Sequence, residues 1–159
     1  MPLHKGPEKP DERPLSVNPF CTNDNRGNSG LPAYVHPGDR EMLTDPQKWL
    51  GIAPGTAIFG RVQFSEPDDV RELTDGVVLD LAGLEITVDH APGHTKGSVT
   101  FRTPGLQDIP HVLFTGDLLF AGAVGRWDLP GGSRDELLAS LARVCLALPA
   151  ETVVLACPG

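Results

Sequence analysis

The sequence predicts an α+β domain in which antiparallel strands come first and an amphipathic helix follows to cover them. Three observations carry this. From Asp75 apolar residues alternate, with Val77, Leu79 and Leu81 before a turn at Gly83 and Leu84, Ile86 and Val88 after it; that period of two marks antiparallel strands with one buried face. Ser133 stands three residues before Glu136 and opens a run in which Leu137, Leu138, Leu141, Val144, Cys145 and Leu148 recur at helical spacing until Pro149, as a capping box followed by an apolar stripe requires. Apolar runs from Ser98 to Arg102, from His111 to Thr115 and through TVVLAC near the end read as further strands.

Ahead of these elements, residues 1 to about 30 carry Pro2, Pro7, Pro10, Pro14 and Pro19 among charges, then TNDNRGNSG. Such a segment lacks the apolar surface to offset its ordering entropy and is expected to be a disordered leader. Order is expected to begin with a short strand at Leu31 to Val35. A short helix over PGDREML follows, opened by Pro37 and closed by the Asp45-Pro46 step. The domain proper is therefore assigned to residues 31–159.

Composition narrows the function. At 159 residues one domain is expected, and the 18 Gly and 16 Pro favour a loop-rich fold, a partly disordered one, or both. A net charge of −8 and a pI near 4.9 leave no clustered Lys and Arg for phosphates, which argues against a nucleic-acid partner. Cys21, Cys145 and Cys157 form no C-x-x-C pair and no disulfide framework, so a reducing cytoplasm fits. The N-terminal stretch has no apolar segment of signal-peptide type, and 18 apolar residues never run together, so no membrane partner is expected. Cys145 falls on the helix stripe and reads as a small core residue.

Two stretches carry the chemistry, DHAPGHTKGS (Asp89 to Ser98) and TGD (Thr115 to Asp117). His90 and His94 follow a strand around a Pro92-Gly93 turn, and Asp117 closes another apolar strand, so imidazole and carboxylate could meet at one sheet edge. These residue types are ligands for zinc or a similar divalent ion. Singly, each also fits a hydrogen-bonded surface histidine or a turn-capping aspartate.

Together, VDHAPGHTKGSVTF and VLFTGDLLFAGAVGRWDLPGGSRDELLASL resemble the second half of the metallo-β-lactamase superfamily, and within it the glyoxalase II-like (hydroxyacylglutathione hydrolase-like) enzymes. The resemblance covers roughly residues 31 to 157 and implies an αββα sandwich with a dinuclear zinc, iron or manganese site at one edge. It implies that a metal-bound hydroxide attacks a small thioester or related ester. By the same resemblance His94 matches a ligand of the first metal and Asp117 the carboxylate bridging both. His90 lies close to the site without being a ligand, and Arg126 and Asp128 match an R-x-D whose physical reading is an ion pair bracing the loop.

The sequence departs from that pattern at two places. The family's H-x-H-x-D-H motif, due some tens of residues before Leu31, is absent, and Pro158 stands near the final ligand histidine. The expectation is an incomplete sandwich lacking N-terminal strands and the first metal motif, with metal binding weak or absent and hydrolysis impaired. An alternative is an inactive half-domain that acts by pairing, including self-association through an uncovered sheet face.

Overall fold

The computed structural model describes residues 32–52, 65–105 and 111–156. The expected leader at residues 1–30 lies outside the described residues, as do His4, Cys21, Cys157 and Pro158. In chain order the elements are β1 (Ala33–Val35), a 3₁₀ helix (Pro37–Leu43), α1 (Pro46–Trp49), β2 (Val70–Glu72), β3 (Val78–Leu81), β4 (Leu84–His90), β5 (Val99–Thr103) and β6 (Val112–Phe114). A 3₁₀ turn (Gly116–Leu118), β7 (Leu119–Phe120), β8 (Ala123–Val124), α2 (Arg134–Ser140), a π turn (Leu141–Cys145) and β9 (Val153–Leu155) complete them. Mixed sheets and helices make this an α+β fold.

The period-two run folds as read. Leu79 pairs with Ile86 and Leu81 with Leu84 in an antiparallel hairpin. The sheet runs β3-β4-β5-β6-β9, antiparallel except for the parallel β6–β9 pair. A separate parallel ladder joins β1 to β2. Because directly opposed residues share a face, the registers Val88↔Phe101, Phe101↔Phe114 and Phe114↔Leu155 draw one apolar row across the sheet. The row is buried at Val88, while Phe114 is 42% and Leu155 47% exposed. The other face carries Leu113, which packs with Ala91, Leu118, Leu137 and Val144 as the core under α2.

Two local expectations are corrected. The Asp45-Pro46 step opens a helical turn as well as ending the previous one: Asp45 accepts the Lys48 N–H at 3.2 Å and Pro46 takes the first helical position, where its fixed φ is already suitable. The helix after Ser133 is not one continuous α-helix to Leu148. It widens into a π turn directly after Ser140, whose hydroxyl is tied outside the helix to the Pro92 carbonyl at 2.7 Å.

The capping box is also only half made. Ser133 Oγ accepts the Glu136 N–H at 3.4 Å, but the Ser133 N–H donates to the Gly93 carbonyl at 2.8 Å, leaving the Glu136 carboxylate outside the cap. Leu138 is turned outward, 47% exposed, because the buried stripe runs through Leu137, Ser140 and Val144.

Candidate metal site

The loop after β4 is held from three sides. Its ends meet where the Ala91 N–H donates to the Ser98 carbonyl at 2.7 Å, and Thr95 N–H bonds Ser98 Oγ at 3.0 Å. From the first 3₁₀ helix, Asp39 accepts the Gly97 N–H at 2.8 Å on one carboxylate oxygen and the Thr95 hydroxyl on the other. From beside β3, Asp75 accepts the His90 N–H at 2.7 Å. From α2 come the Ser133 N–H to Gly93 and the Ser140 hydroxyl to Pro92. Gly93 makes the last contact possible: its φ is +136°, and an added Cβ would lie 2.3 Å from Leu137 Cα.

His94 projects from this loop and is orientated by its far nitrogen. Nδ1 lies 2.8 Å from the Arg126 carbonyl. A carbonyl can only accept, so Nδ1 carries a proton, and in the neutral ring Nε2 is the atom free to bind a metal. Nε2 is turned toward Asp117, whose Oδ2 is 3.9 Å away. The His94 side chain is 19% exposed and that of Asp117 50%, so the pair sits at an accessible edge.

Asp117 owes its position to its neighbours. Thr115 is fully buried and its hydroxyl donates to the Leu119 carbonyl at 2.9 Å, while Leu118, 1% exposed, anchors the 3₁₀ turn in the core. The antiparallel β7–β8 pair returns the chain to this turn, where the Gly125 N–H donates to the Leu118 carbonyl at 3.0 Å. A Cβ on Gly125 would stand 1.9 Å from the Asp117 carbonyl oxygen, so only glycine allows the approach. Arg126 follows at once. Its guanidinium forks onto Asp128 at 2.8 and 3.0 Å, which raises the guanidinium pKa and holds the carboxyl below its ordinary value.

His90 takes a different place. Its Nε2–H donates to the Lys96 carbonyl at 2.8 Å, and its ring stacks on His36 with centroids 4.0 Å apart and planes 7° from parallel. It supports the loop from behind, and no contact joins it to His94 or Asp117 among the described residues. Burial, reinforced by His90, pushes the His36 pKa down. Burial also raises the Cys145 thiol, which keeps it protonated in its place beside the core.

The residues the sequence reading missed are those that hold the loop: Asp39, Asp75 and Ser140. Asp39 lies 56 positions from Thr95 and Ser140 48 from Pro92, and nothing in their local sequence marks such long-range partners.

His94 Nε2 and Asp117 Oδ2 are close enough to share one ion, since two ligand bonds of about 2.0–2.2 Å together just span their separation. Among the described residues no group of three or more His, Cys, Asp or Glu could hold a metal. The donor set thus fits a metal in part. Catalytic zinc ordinarily has three protein ligands and a water.

A family model described as the metallo-beta-lactamase superfamily matches residues 26–157. The chain is 48% identical over 132 residues to an uncharacterized protein of Mycobacterium tuberculosis, covering 82% of this chain and 58% of that one. It is 35% identical over 85 residues to the hydroxyacylglutathione hydrolase GloC of Haemophilus influenzae, covering 54% and 38%. The crystal structure of TTHA1623 in a di-iron-bound form superposes with a TM-score of 0.55 at 37% identity, covering 82% of this chain and 59% of that one. The chain therefore spans little more than half the length of the M. tuberculosis relative.

Proposed function

This chain belongs to the metallo-β-lactamase superfamily, and from that premise we propose a metal-dependent hydrolase of thioesters or related esters, of glyoxalase II type, to which His94 and Asp117 contribute two metal ligands. One observation carries the reading: the Arg126 carbonyl fixes the His94 ring with Nε2 turned toward a carboxylate oxygen 3.9 Å away, a placement in which the two can hold one ion. The likeness to GloC supports the thioester class, and the di-iron relative supports a dinuclear centre.

A bound metal would supply an acidified water and an electrophile for the substrate carbonyl. The chain's own residues contribute position. Asp39, Ser133 and Ser140 keep the His94 loop still, the buried Thr115 and Leu118 aim Asp117, and the Arg126–Asp128 fork stiffens the backbone whose carbonyl orientates His94. Accurate placement matters because a small displacement at a reacting centre costs large factors in rate.

Two ligands hold an ion weakly, and H-x-H-x-D-H does not occur in the sequence. We therefore propose impaired turnover by this chain alone. No helix among the described residues is long and apolar enough to cross a membrane. We also assign the chain to a reducing cytoplasm, on the spacing of its three cysteines. A second reading, a non-catalytic half-domain that pairs with a second copy, is favoured by the exposed row through Phe114 and Leu155 and by a β9 that has no outer neighbour among the described strands.

The test is hydrolysis of S-lactoylglutathione and a generic thioester with added Zn²⁺, Fe²⁺ or Mn²⁺, together with metal analysis. Slow metal-dependent turnover that Asp117→Ala abolishes supports the hydrolase. Metal-free protein with no turnover under any of these ions leaves the half-domain reading.

A further inference from the structure

The described residues of this acidic chain contain two lysines, Lys48 and Lys96, and both line the same cavity. The cavity has a volume of about 450 Å³, large enough for a small organic ligand. Trp49 forms part of its wall, its indole packed against Gly131, which with Pro130 comes from the loop that follows Asp128. The Lys48 ammonium lies 6.0 Å from the indole centroid, and the buried indole Nε1–H has no acceptor among the described residues. Glu41 is the one carboxylate on the lining among the described residues; it binds Lys48 at 2.7 Å. Lys96 has no ion-pair partner among the described residues.

We propose that this cavity is a binding site for an organic oxyanion, a carboxylate or phosphate carried on a planar or apolar body. The chemistry of the wall selects that class. Two lysines against one carboxylate among the described lining residues give net positive charge in a chain whose total is −8, and an indole beside them offers apolar surface for the ligand's body. A cation or a neutral sugar finds no comparable match there.

Two of the segments that line the cavity also carry the candidate metal site. Lys96 is two residues beyond His94 in the clamped loop, so their Cα atoms lie within about 7 Å of each other. Pro130 and Gly131 continue the segment whose Arg126 carbonyl holds the His94 ring. A ligand anchored by Lys48 and Lys96 can therefore extend a reactive group toward His94 and Asp117. On the hydrolase reading, which this step alone rests on, the site holds the anionic tail of the thioester or ester substrate.

Calorimetric titration of the full chain with coenzyme A, glutathione and inorganic phosphate at low salt tests the site. Coenzyme A represents phosphates on an aromatic body and glutathione carboxylates on a peptide. At least one is expected to bind, with its Kd raised roughly tenfold by Lys96→Gln or Lys48→Gln. Lys96→Arg should largely restore the affinity, and Glu41→Gln should tighten binding by removing the opposing charge. Thermal unfolding of each variant verifies that these exposed substitutions leave the fold intact. If neither organic anion binds, if the lysine variants leave Kd unchanged, or if phosphate binds as tightly as the organic anions, the proposal fails. Asp117→Ala separates the two readings: it should abolish any hydrolysis and leave anion binding intact. Lysine-dependent binding without turnover in the unsubstituted chain would overturn the hydrolase and leave the cavity assignment standing.

Discussion

Asp39 illustrates how much of the site is carried by residues that bear no chemistry themselves. Its carboxylate satisfies Gly97 and Thr95 together, on either side of Lys96 and next to His94. Asp39→Ala is expected to cost about 2 kcal/mol in urea unfolding, the value of hydrogen bonds to a charged group, and to weaken Zn²⁺ binding through a loosened His94. His36 gives a second expectation, in pH. Its folded pKa lies below the ordinary value of about 6.5 because burial and the neighbouring His90 disfavour the cation, although Asp39, Asp75 and Glu72 partly offset them. The unfolded chain then takes up the proton more readily. This contribution to stability is complete above about pH 6.5 and is lost as pH falls from there through the lower folded value. Thermal melts from pH 7.5 to 5 should fall more steeply for the wild type than for His36→Asn, which keeps a side-chain acceptor for the Gly38 N–H.

Among the elements, α2 meets the His94 loop at a contact that admits no added atom. Gly93→Ala would place a methyl 2.3 Å from Leu137 Cα and strain a backbone at φ +136°. A loss of about 3 kcal/mol is expected, with α2 displaced. The half-made cap separates two otherwise similar substitutions. Ser133→Ala removes the acceptor for the Glu136 N–H and should cost about 1 kcal/mol. Glu136→Ala should stay within about 0.5 kcal/mol, because its carboxylate closes no cap. Denaturant midpoints for the pair decide between this arrangement and a reciprocal capping box, in which both changes would cost alike.

For the whole molecule, the two faces of the main sheet differ. One is closed by α2 through Leu113 and Leu137; the other leaves Phe114 42% and Leu155 47% exposed in one row. Contiguous apolar surface of this kind favours association. Sedimentation should reveal concentration-dependent self-association that Phe114→Lys with Leu155→Lys abolishes. A wild-type chain that stays monomeric at its highest soluble concentration would reject pairing through this face.

The alternation from Val77 to Val88 determined a hairpin because a strand's side chains repeat every two residues, and the leucine spacing after Ser133 determined a helix for the corresponding reason. The motif residues His94 and Asp117 were legible as candidate ligands, as was the Arg126–Asp128 pair, whose partners are two residues apart. Local sequence could not determine that His94 Nδ1 would meet the Arg126 carbonyl, that Asp39 and Ser140 would grip the His94 loop, or that His90 would turn away to stack on His36. Nor could it bring Lys48 and Lys96 to one cavity. Each of these contacts joins segments distant in the chain. A side chain's hydrogen-bonding capacity is written in its residue type, but its partner is chosen only when packing of the sheet and α2 has already set which loops lie within about 3 Å of each other.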